Sequence, residues 1–148
     1  MAGTDLRRIL LAEDSVNDAE LTLTALRANR LVNEVIVVRD GAEALDYLHC
    51  RGAYADREAG HPAVMLLDLK MPKIDGLEVL RHVKTDPELR TIPVVVLTSS
   101  REEQDLVHSY NLGVNAYVVK PVDFHAFVDA MSLLGGFWAV LNEPFPAR

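Results

Sequence analysis

The stretch VMLLDLKMP, residues 64–72, runs four apolar residues into a carboxylate and leaves through a lysine and a proline. A short apolar run of this kind is typical of a strand buried on both faces, as in a parallel sheet covered by helices. We therefore predict a buried strand that ends at Asp68. Open parallel sheets bind their ligands beyond the carboxyl ends of the strands, so this carboxylate is placed where a ligand would meet it.

Four other runs have the same character and are rich in the β-branched residues that suit strands. They lie at residues 9–12, 35–38, 94–97 and 117–119. Helical patterns alternate with the strands, at residues 19–31, 42–48, 77–83 and 106–112 and from residue 124 onward. This alternation predicts right-handed βαβ units in a three-layer α/β sandwich. We expect its five-stranded parallel sheet to have the common flavodoxin-like order 2-1-3-4-5.

Helix starts are marked by capping residues. Ser15 is followed by Asp18, and Ser100 by Glu103, at the spacing of a capping box. Asp123 is placed to cap the last helix. We expect one domain over residues 1–148, with a core of about 6–134 and a C-terminal extension of about 135–148, and no output domain.

Composition narrows the class of protein. The chain has 148 residues, 49% hydrophobic and 25% charged, which is globular composition. Its net charge is -7 and its basic residues are spread among acids, so we expect no nucleic-acid partner. We find no signal peptide and no apolar stretch of membrane-spanning length. The single cysteine, Cys50, has no companion for a disulfide or zinc, and a cytoplasmic protein is expected.

Charged and hydroxyl residues follow the predicted strands. They are Glu13 and Asp14, Asp68, Thr98, and Lys120. The predicted strand order brings them to one edge of the sheet, where three carboxylates and one ammonium repel each other unless a cation lies among them. Oxygen ligands without His or Cys favour Mg²⁺ or Mn²⁺.

Phosphoryl transfer is the chemistry that this set of residues suits. A carboxylate such as Asp68 is able to accept a phosphoryl group as a nucleophile. Thr98 and Lys120 would share the charge that develops on the phosphoryl oxygens.

The motifs LLAEDS, LLDLKMPKIDG, VVVLTSS and AYVVKP resemble, in order and spacing, those of the receiver domain of two-component response regulators. The resemblance covers nearly the whole chain. It implies that Asp68 is the phosphoacceptor and a metal ligand. It further implies that Glu13, Asp14 and the backbone carbonyl of Lys70 complete the protein ligands of the ion.

The resemblance also assigns roles on the last two strands. Thr98 would be the switch hydroxyl, Lys120 the ammonium of the site and Tyr117 an aromatic rotamer switch, and a cis bond would precede Pro121. The implied function is acceptance of a phosphoryl group from a sensor histidine kinase, followed by a change of interaction surface. The chain would then catalyse only its own phosphorylation and dephosphorylation.

Other functions on similar folds fit these residues less well. Dehalogenase-type phosphatases need a second acid two residues after the nucleophile, where this chain has Lys70. A flavodoxin-like flavin site is disfavoured because EDSVND presents three acids, and a Rossmann site because no GxGxxG follows the first strand. A phosphorylation-independent interaction module and a phosphate sink or phosphorelay intermediate stay open as alternatives.

The C-terminal sequence predicts a homodimer through the last helix and tail. Apolar residues continue in helical phase past Gly135 and Gly136, in two neighbouring stripes that one sheet face would not cover. The predicted interface comprises Leu133, Phe137, Trp138, Val140 and Phe145. The alternative is a tail that folds back onto its own domain.

A narrower resemblance concerns the partner. The long loop at residues 50–62 and the ending GFWAVLNEPFP are similar to those of single-domain regulators partnered with bacterial phytochrome histidine kinases. The resemblance implies a bacteriophytochrome as the kinase. The broader resemblance to receiver domains implies that Lys70 and Ser100, two residues after Asp68 and Thr98, influence water access to the phosphoryl group. We expect the Lys70 stem to slow its hydrolysis.

Overall fold

The computed structural model describes residues 4–27, 34–114 and 116–134, which alternate between strands and helices. The strands are β1 (Thr4–Ala12), β2 (Glu34–Val38), β3 (His61–Asp68), β4 (Val94–Thr98) and β5 (Ala116–Val119). The helices are α1 (Val16–Arg27), α2 (Gly41–Leu48), α3 (Gly76–Thr85), α4 (Arg101–Ser109) and α5 (Phe124–Leu134), with a 3₁₀ turn at Gly52–Tyr54.

The five strands are parallel and lie in the order β2-β1-β3-β4-β5, which confirms the predicted topology. β3 is the central strand, and each of its residues after His61 is buried. Ala12 of β1 pairs with Leu67, and Asp68 pairs with Leu97 of β4. The carboxyl ends of β1, β3 and β4 therefore meet at one edge of the sheet.

Two apolar cores lie on opposite faces of the sheet, because successive side chains of a strand point to opposite sides. On one face Leu10 and Met65 pack with residues of α2, α3 and α4. On the other face Ile9 and Leu66 pack with residues of α1 and with Phe127 of α5. This arrangement confirms the three-layer α/β sandwich.

Capping residues set the helix starts. Ser15 Oγ accepts a bond from the Asp18 N–H at 3.1 Å, so α1 begins before the predicted residue 19. Ser100 Oγ accepts from the Glu103 N–H at 3.1 Å, and α4 likewise begins before residue 106. Asp123 Oδ1 accepts from the Ala126 N–H at 2.7 Å, at the start of α5. Among the helices of the described residues, none has the length and apolar character needed to cross a bilayer.

The loop at residues 50–62 is held against α2 by side chains. Arg57 Nε donates to the carbonyl of Tyr47 at 2.7 Å, and its guanidinium lies 4.1 Å from the Tyr47 ring centroid. Tyr54 Oη donates to Glu43 Oε2 at 2.7 Å. Arg8 Nη1, from β1, donates to the Tyr47 hydroxyl at 2.8 Å. Tyr47 thus links this loop to the sheet.

Candidate functional site

Three carboxylates meet at the carboxyl edge of the sheet. Glu13 and Asp14 follow β1, and Asp68 ends the neighbouring β3. One carboxylate oxygen from each of the three residues lies within 4.8 Å of one oxygen from each of the other two. Glu13 and Asp68 are 0% and 4% exposed, whereas Asp14 is exposed. The cluster is therefore buried on the side of Glu13 and Asp68 and open to solvent on the side of Asp14.

Lys120 supplies a positive charge to this cluster. It follows β5, and its Nζ lies 3.4 Å from Asp68 Oδ2 and 3.3 Å from Glu13 Oε1. The shortest of its ion pairs is with Asp18 Oδ2, at 2.9 Å. The sequence pattern predicts that Lys120 lies near Asp68 and Glu13. It indicates a role for Asp18 only in capping a helix. The first turn of α1 follows directly after the end of β1, and this short connection is the sequence signal that places Asp18 near the site.

The electrostatics of the site are those of excess negative charge. Burial raises the pKa of Glu13 to about 7, and the adjacent Asp68 carboxylate adds to this, while Lys120 acts in the opposite direction. Burial also lowers the pKa of Lys120, but its hydrogen bond to Asp18 and its attraction to Asp68 and Glu13 outweigh this and raise it. The lysine therefore stays cationic, whereas the buried Glu13 carboxylate holds a proton more readily than usual.

This donor set fits a hard divalent cation. The three groups that converge are all carboxylates, and Mg²⁺ and Mn²⁺ prefer oxygen ligands. The backbone N–H of Lys70 points to Asp68 Oδ1, with N and O 3.5 Å apart. The role of the Lys70 carbonyl as a further ligand stays a prediction.

Thr98 ends β4 beside the cluster. It is fully buried, and its Oγ1 has no hydrogen-bond partner among the described residues. A buried hydroxyl without a partner is unfavourable, so this group is suited to donate to an acceptor that enters the site. The Lys120 N–H donates to the Thr98 carbonyl at 2.8 Å, and the Lys120–Pro121 peptide bond is cis, as the sequence resemblance implies.

Tyr117 lies on the same face of the sheet as Thr98. In the parallel register of β4 and β5, Val96 pairs with Tyr117 and Thr98 with Val119. Residues two apart on a strand share a face. The Tyr117 side chain is half-buried beside a cavity of about 60 Å³ lined by Val107, Leu112 and Val114, among others, and burial raises its pKa.

Gly76 allows the phosphoacceptor loop to pack closely on α3. A Cβ at this position would lie 2.2 Å from the carbonyl oxygen of Asp68 and 2.5 Å from Leu69 Cα. The Gly76 N–H donates to the Leu69 carbonyl at 2.8 Å. Asp75 Oδ1 accepts from the Glu78 N–H at 2.9 Å and caps α3. The sequence IDG after Asp68 thus fixes the position of the loop.

The predicted dimer residues are not placed by the structure. Leu133 lies in α5, but its side chain is outside what the structure describes, and Phe137, Trp138, Val140 and Phe145 fall beyond the described residues. The predicted interface therefore stays a prediction.

Comparison with known proteins adds independent information. The response regulator receiver domain family matches residues 9–132. The response regulator Rcp1 of Synechocystis sp. is 40% identical over 130 residues, which cover 88% of this chain and 87% of Rcp1. The structure of its Mn(2+)-bound form has a TM-score of 0.72 at 37% identity and covers 95% of this chain and 99% of that one.

Two bacteriophytochrome response regulators are similar in structure. RtBRR is 64% identical with a TM-score of 0.88, and the match covers 96% of this chain and 86% of that chain. AtBRR is 65% identical with a TM-score of 0.89, and the match covers 94% of this chain and 99% of that chain. The strand order, the clustered strand ends and these matches agree, and the chain belongs to the response regulator receiver domain family.

Proposed function

We propose that Asp68 accepts a phosphoryl group from a sensor histidine kinase, in a reaction that requires Mg²⁺ or Mn²⁺, and that phosphorylation switches an interaction surface. The observation that supports this proposal is the set of charged groups that surround the Asp68 carboxylate. Its buried carboxylate lies within 4.8 Å of those of Glu13 and Asp14, and its Oδ2 is 3.4 Å from Lys120 Nζ. The site therefore combines a nucleophile, cation ligands and a counter-charge.

The residues divide the chemistry among them. Glu13, Asp14, Asp68 and the Lys70 carbonyl would hold the metal ion, which neutralises phosphoryl charge when bound. A carboxylate oxygen of Asp68 attacks phosphorus, the bond from phosphorus to the donor nitrogen breaks, and an aspartyl phosphate forms. The Lys120 ammonium balances the charge that develops on the phosphoryl group. The relative Rcp1 has a Mn(2+)-bound form, which supports a divalent cation in this proposal.

The switch would begin at Thr98. Its unpartnered hydroxyl gains a phosphoryl oxygen as acceptor, and its movement frees space into which Tyr117 turns. Leu106 and Tyr110 in and just after α4, and Val119 in β5, are large apolar residues with exposed side chains. A change at Tyr117 would alter this surface, and phosphorylation would act by shifting the population of its two arrangements.

The kinase partner is proposed to be a bacteriophytochrome. RtBRR and AtBRR are bacteriophytochrome response regulators, and both exceed 60% identity to this chain. Phosphotransfer from a bacteriophytochrome histidine kinase and from an unrelated histidine kinase should be compared side by side. Faster transfer from the bacteriophytochrome is expected, and equal rates would contradict this partner.

The phosphoacceptor is tested with acetyl phosphate and Mg²⁺. Intact-mass measurement is expected to show one added phosphoryl group in the wild-type chain and none in Asp68→Asn. Asp105→Asn, which changes an exposed acid on α4, is the matched control and should behave as wild type. Phosphorylation that persists in Asp68→Asn, or that is absent from wild type, would overturn the proposal and favour a phosphorylation-independent interaction module.

We also propose a homodimer through the last helix and the C-terminal tail. The support is the sequence pattern alone, in which Leu133, Phe137, Trp138, Val140 and Phe145 are apolar. Sedimentation of the full chain is expected to give twice the mass per chain, and a truncation before Gly135 should be monomeric. Equal monomeric masses would contradict the dimer.

A further inference from the structure

A second group of potential metal ligands lies at the ends of α2 and α3. His49 follows α2, His82 lies in the last turn of α3, and Asp86 follows that helix. His49 Nε2 and His82 Nε2 are 2.9 Å apart, and His82 Nε2 is 3.9 Å from Asp86 Oδ2. One ligand atom from each residue lies within 4.8 Å of the other two, and all three residues are half-buried.

This group is remote from the phosphoacceptor. His49 and Asp86 line an open cleft of about 370 Å³ together with His61, the first residue of β3. Asp68 is the last residue of the same strand, and a strand rises about 3.3 Å per residue, so the two ends are about 23 Å apart. The cleft is therefore at the amino edge of the sheet, and the group takes no part in the proposed phosphoryl chemistry.

We propose that His49, His82 and Asp86 form a second metal site, which binds a divalent transition-metal ion such as Zn²⁺. Imidazole nitrogens and a carboxylate oxygen are ligands that zinc takes, and three protein ligands leave one position for water. Nitrogen ligands also separate this site from the carboxylate cluster, because Mg²⁺ prefers oxygen.

The separation of the two histidine nitrogens requires only a small adjustment. Zinc–nitrogen bonds of about 2.0–2.1 Å in tetrahedral geometry place two ligand nitrogens about 3.3 Å apart. The rings are now perpendicular, 86° between planes, and the 2.9 Å contact is a hydrogen bond in which one imidazole donates and the other accepts. Metal binding would replace that shared proton and open the pair by a few tenths of an ångström.

Neighbouring groups favour the orientation and the protonation state that metal binding needs. Asp86 Oδ1 accepts from the Glu88 N–H at 2.7 Å, which orients the carboxylate and leaves Oδ2 on the side of His82. Burial, and then the positive charge of Arg51, lower the pKa of His49. The imidazole is thus kept in the neutral form that metals bind.

Zinc at this site would join the carboxyl ends of α2 and α3. The test uses the full chain without a histidine tag, in saturating Mg²⁺ so that the carboxylate cluster is occupied. Zn²⁺ is then titrated in competition with a chromophoric chelator. One ion per chain is expected. His49→Gln and His82→Gln should each weaken zinc binding by at least about tenfold, since even outer-shell changes cost that much.

The matched control is His125→Gln, which removes an exposed histidine of α5 and should leave zinc affinity unchanged. Zinc is also expected to raise the melting temperature of wild type but not of His49→Gln. Retained Mg²⁺ affinity shows that each variant is folded. Equal zinc affinity in wild type and both cluster variants, or no zinc binding by wild type in Mg²⁺, would show that the pair is a histidine–histidine hydrogen bond alone and would overturn the proposal.

Discussion

The ammonium of Lys70 lies 3.1 Å from Oε2 of Glu103, and this ion pair joins the loop after β3 to the first turn of α4. The Lys70 side chain is 79% exposed, whereas that of Glu103 is 15% exposed. Glu103 is fixed in place because its Oε1 accepts from the Ser99 N–H at 2.9 Å. Glu103 therefore fixes the position of the Lys70 ammonium. It thereby also positions the aliphatic stem of Lys70, which we expect to protect the phosphoryl group from water.

Lys70→Ala is expected to accelerate dephosphorylation of Asp68, because water then reaches the phosphoryl group without crossing the lysine stem. Glu103→Gln is expected to slow it, because the released ammonium is free to contact the phosphoryl oxygens. One charge-assisted contact corresponds to about tenfold in rate. Decay is followed by intact mass after acetyl phosphate is removed.

Lys73→Ala provides the control for charge in the same loop. Lys73 is also exposed, and its ion pair is with Asp40, at 3.3 Å, so its loss should leave the decay unchanged. If Lys70→Ala decays at the wild-type rate, Lys70 does not protect the phosphoryl group.

Magnesium binding is expected to release a proton from Glu13. The pKa of Glu13 is raised to about 7 in the metal-free protein, mainly by burial, so the group is largely protonated at about pH 6. The same shift means that the metal-free protein loses stability as pH rises from 4.5 through about 7, because the buried carboxylate must ionise. A bound cation favours the ionised form, so Mg²⁺ affinity should rise across this range.

Calorimetry in buffers of different ionisation enthalpy measures that release. We expect close to one proton per Mg²⁺ at about pH 6 and little release at about pH 8. Glu13→Gln should abolish the release, and Glu103→Gln, outside the cluster, should retain it. Pure pH independence of both affinity and proton count in wild type would contradict the assignment.

Asp18 is expected to help keep Lys120 charged. Asp18→Asn removes the nearest of three carboxylates around that ammonium, at 2.9 Å, so the pKa of Lys120 should fall. Titration of the lysine side chain by NMR measures this. Glu20→Gln, an exposed acid in the same helix, is the control and should not change the titration. An unaltered Lys120 titration in Asp18→Asn would show that Glu13 and Asp68 suffice.

The strand ends could be predicted from the sequence because each depends on local pattern. Buried apolar runs indicated the strands, and strand order then brought Glu13, Asp14 and Asp68 together, as observed. The ion pair between Lys120 and Asp18 was missed, because the angle at which a helix leaves its strand is not encoded in any short motif.

Side-chain contacts between residues far apart in the chain could also not be predicted from the sequence. His49 and His82 meet only because α2 and α3 pack side by side, and their separation along the chain gives no ligand spacing. The loop at residues 50–62 has the composition of a solvated loop, and its attachment through Arg57 and Tyr47 depends on the ring position in the folded chain.

Arg57→Ala is expected to destabilise the fold by about 1–2 kcal/mol, because it removes a charged donor to a backbone carbonyl and a cation–π contact. Arg51→Ala, in the same loop, is the matched control. Its ion pair with Asp46 joins side chains that are 57% and 39% exposed, and such pairs contribute about 0–1 kcal/mol. Urea unfolding measures both. Equal losses in the two variants would show that the Arg57 contacts are not what anchors the loop.

Gly76→Ala is expected to lower the free energy of unfolding by about 2 kcal/mol or more, because the added methyl group overlaps the Asp68 carbonyl and the backbone must shift. The same shift should weaken Mg²⁺ binding and slow phosphorylation by acetyl phosphate, since it moves the loop that bears the phosphoacceptor.

Gly113→Ala separates the two effects. Gly113 has φ +81 with nothing within 4 Å of a built Cβ, so this change costs about 1 kcal/mol of backbone strain and leaves Mg²⁺ affinity intact. Wild-type Mg²⁺ affinity in Gly76→Ala would mean that close packing of α3 on this loop does not position Asp68.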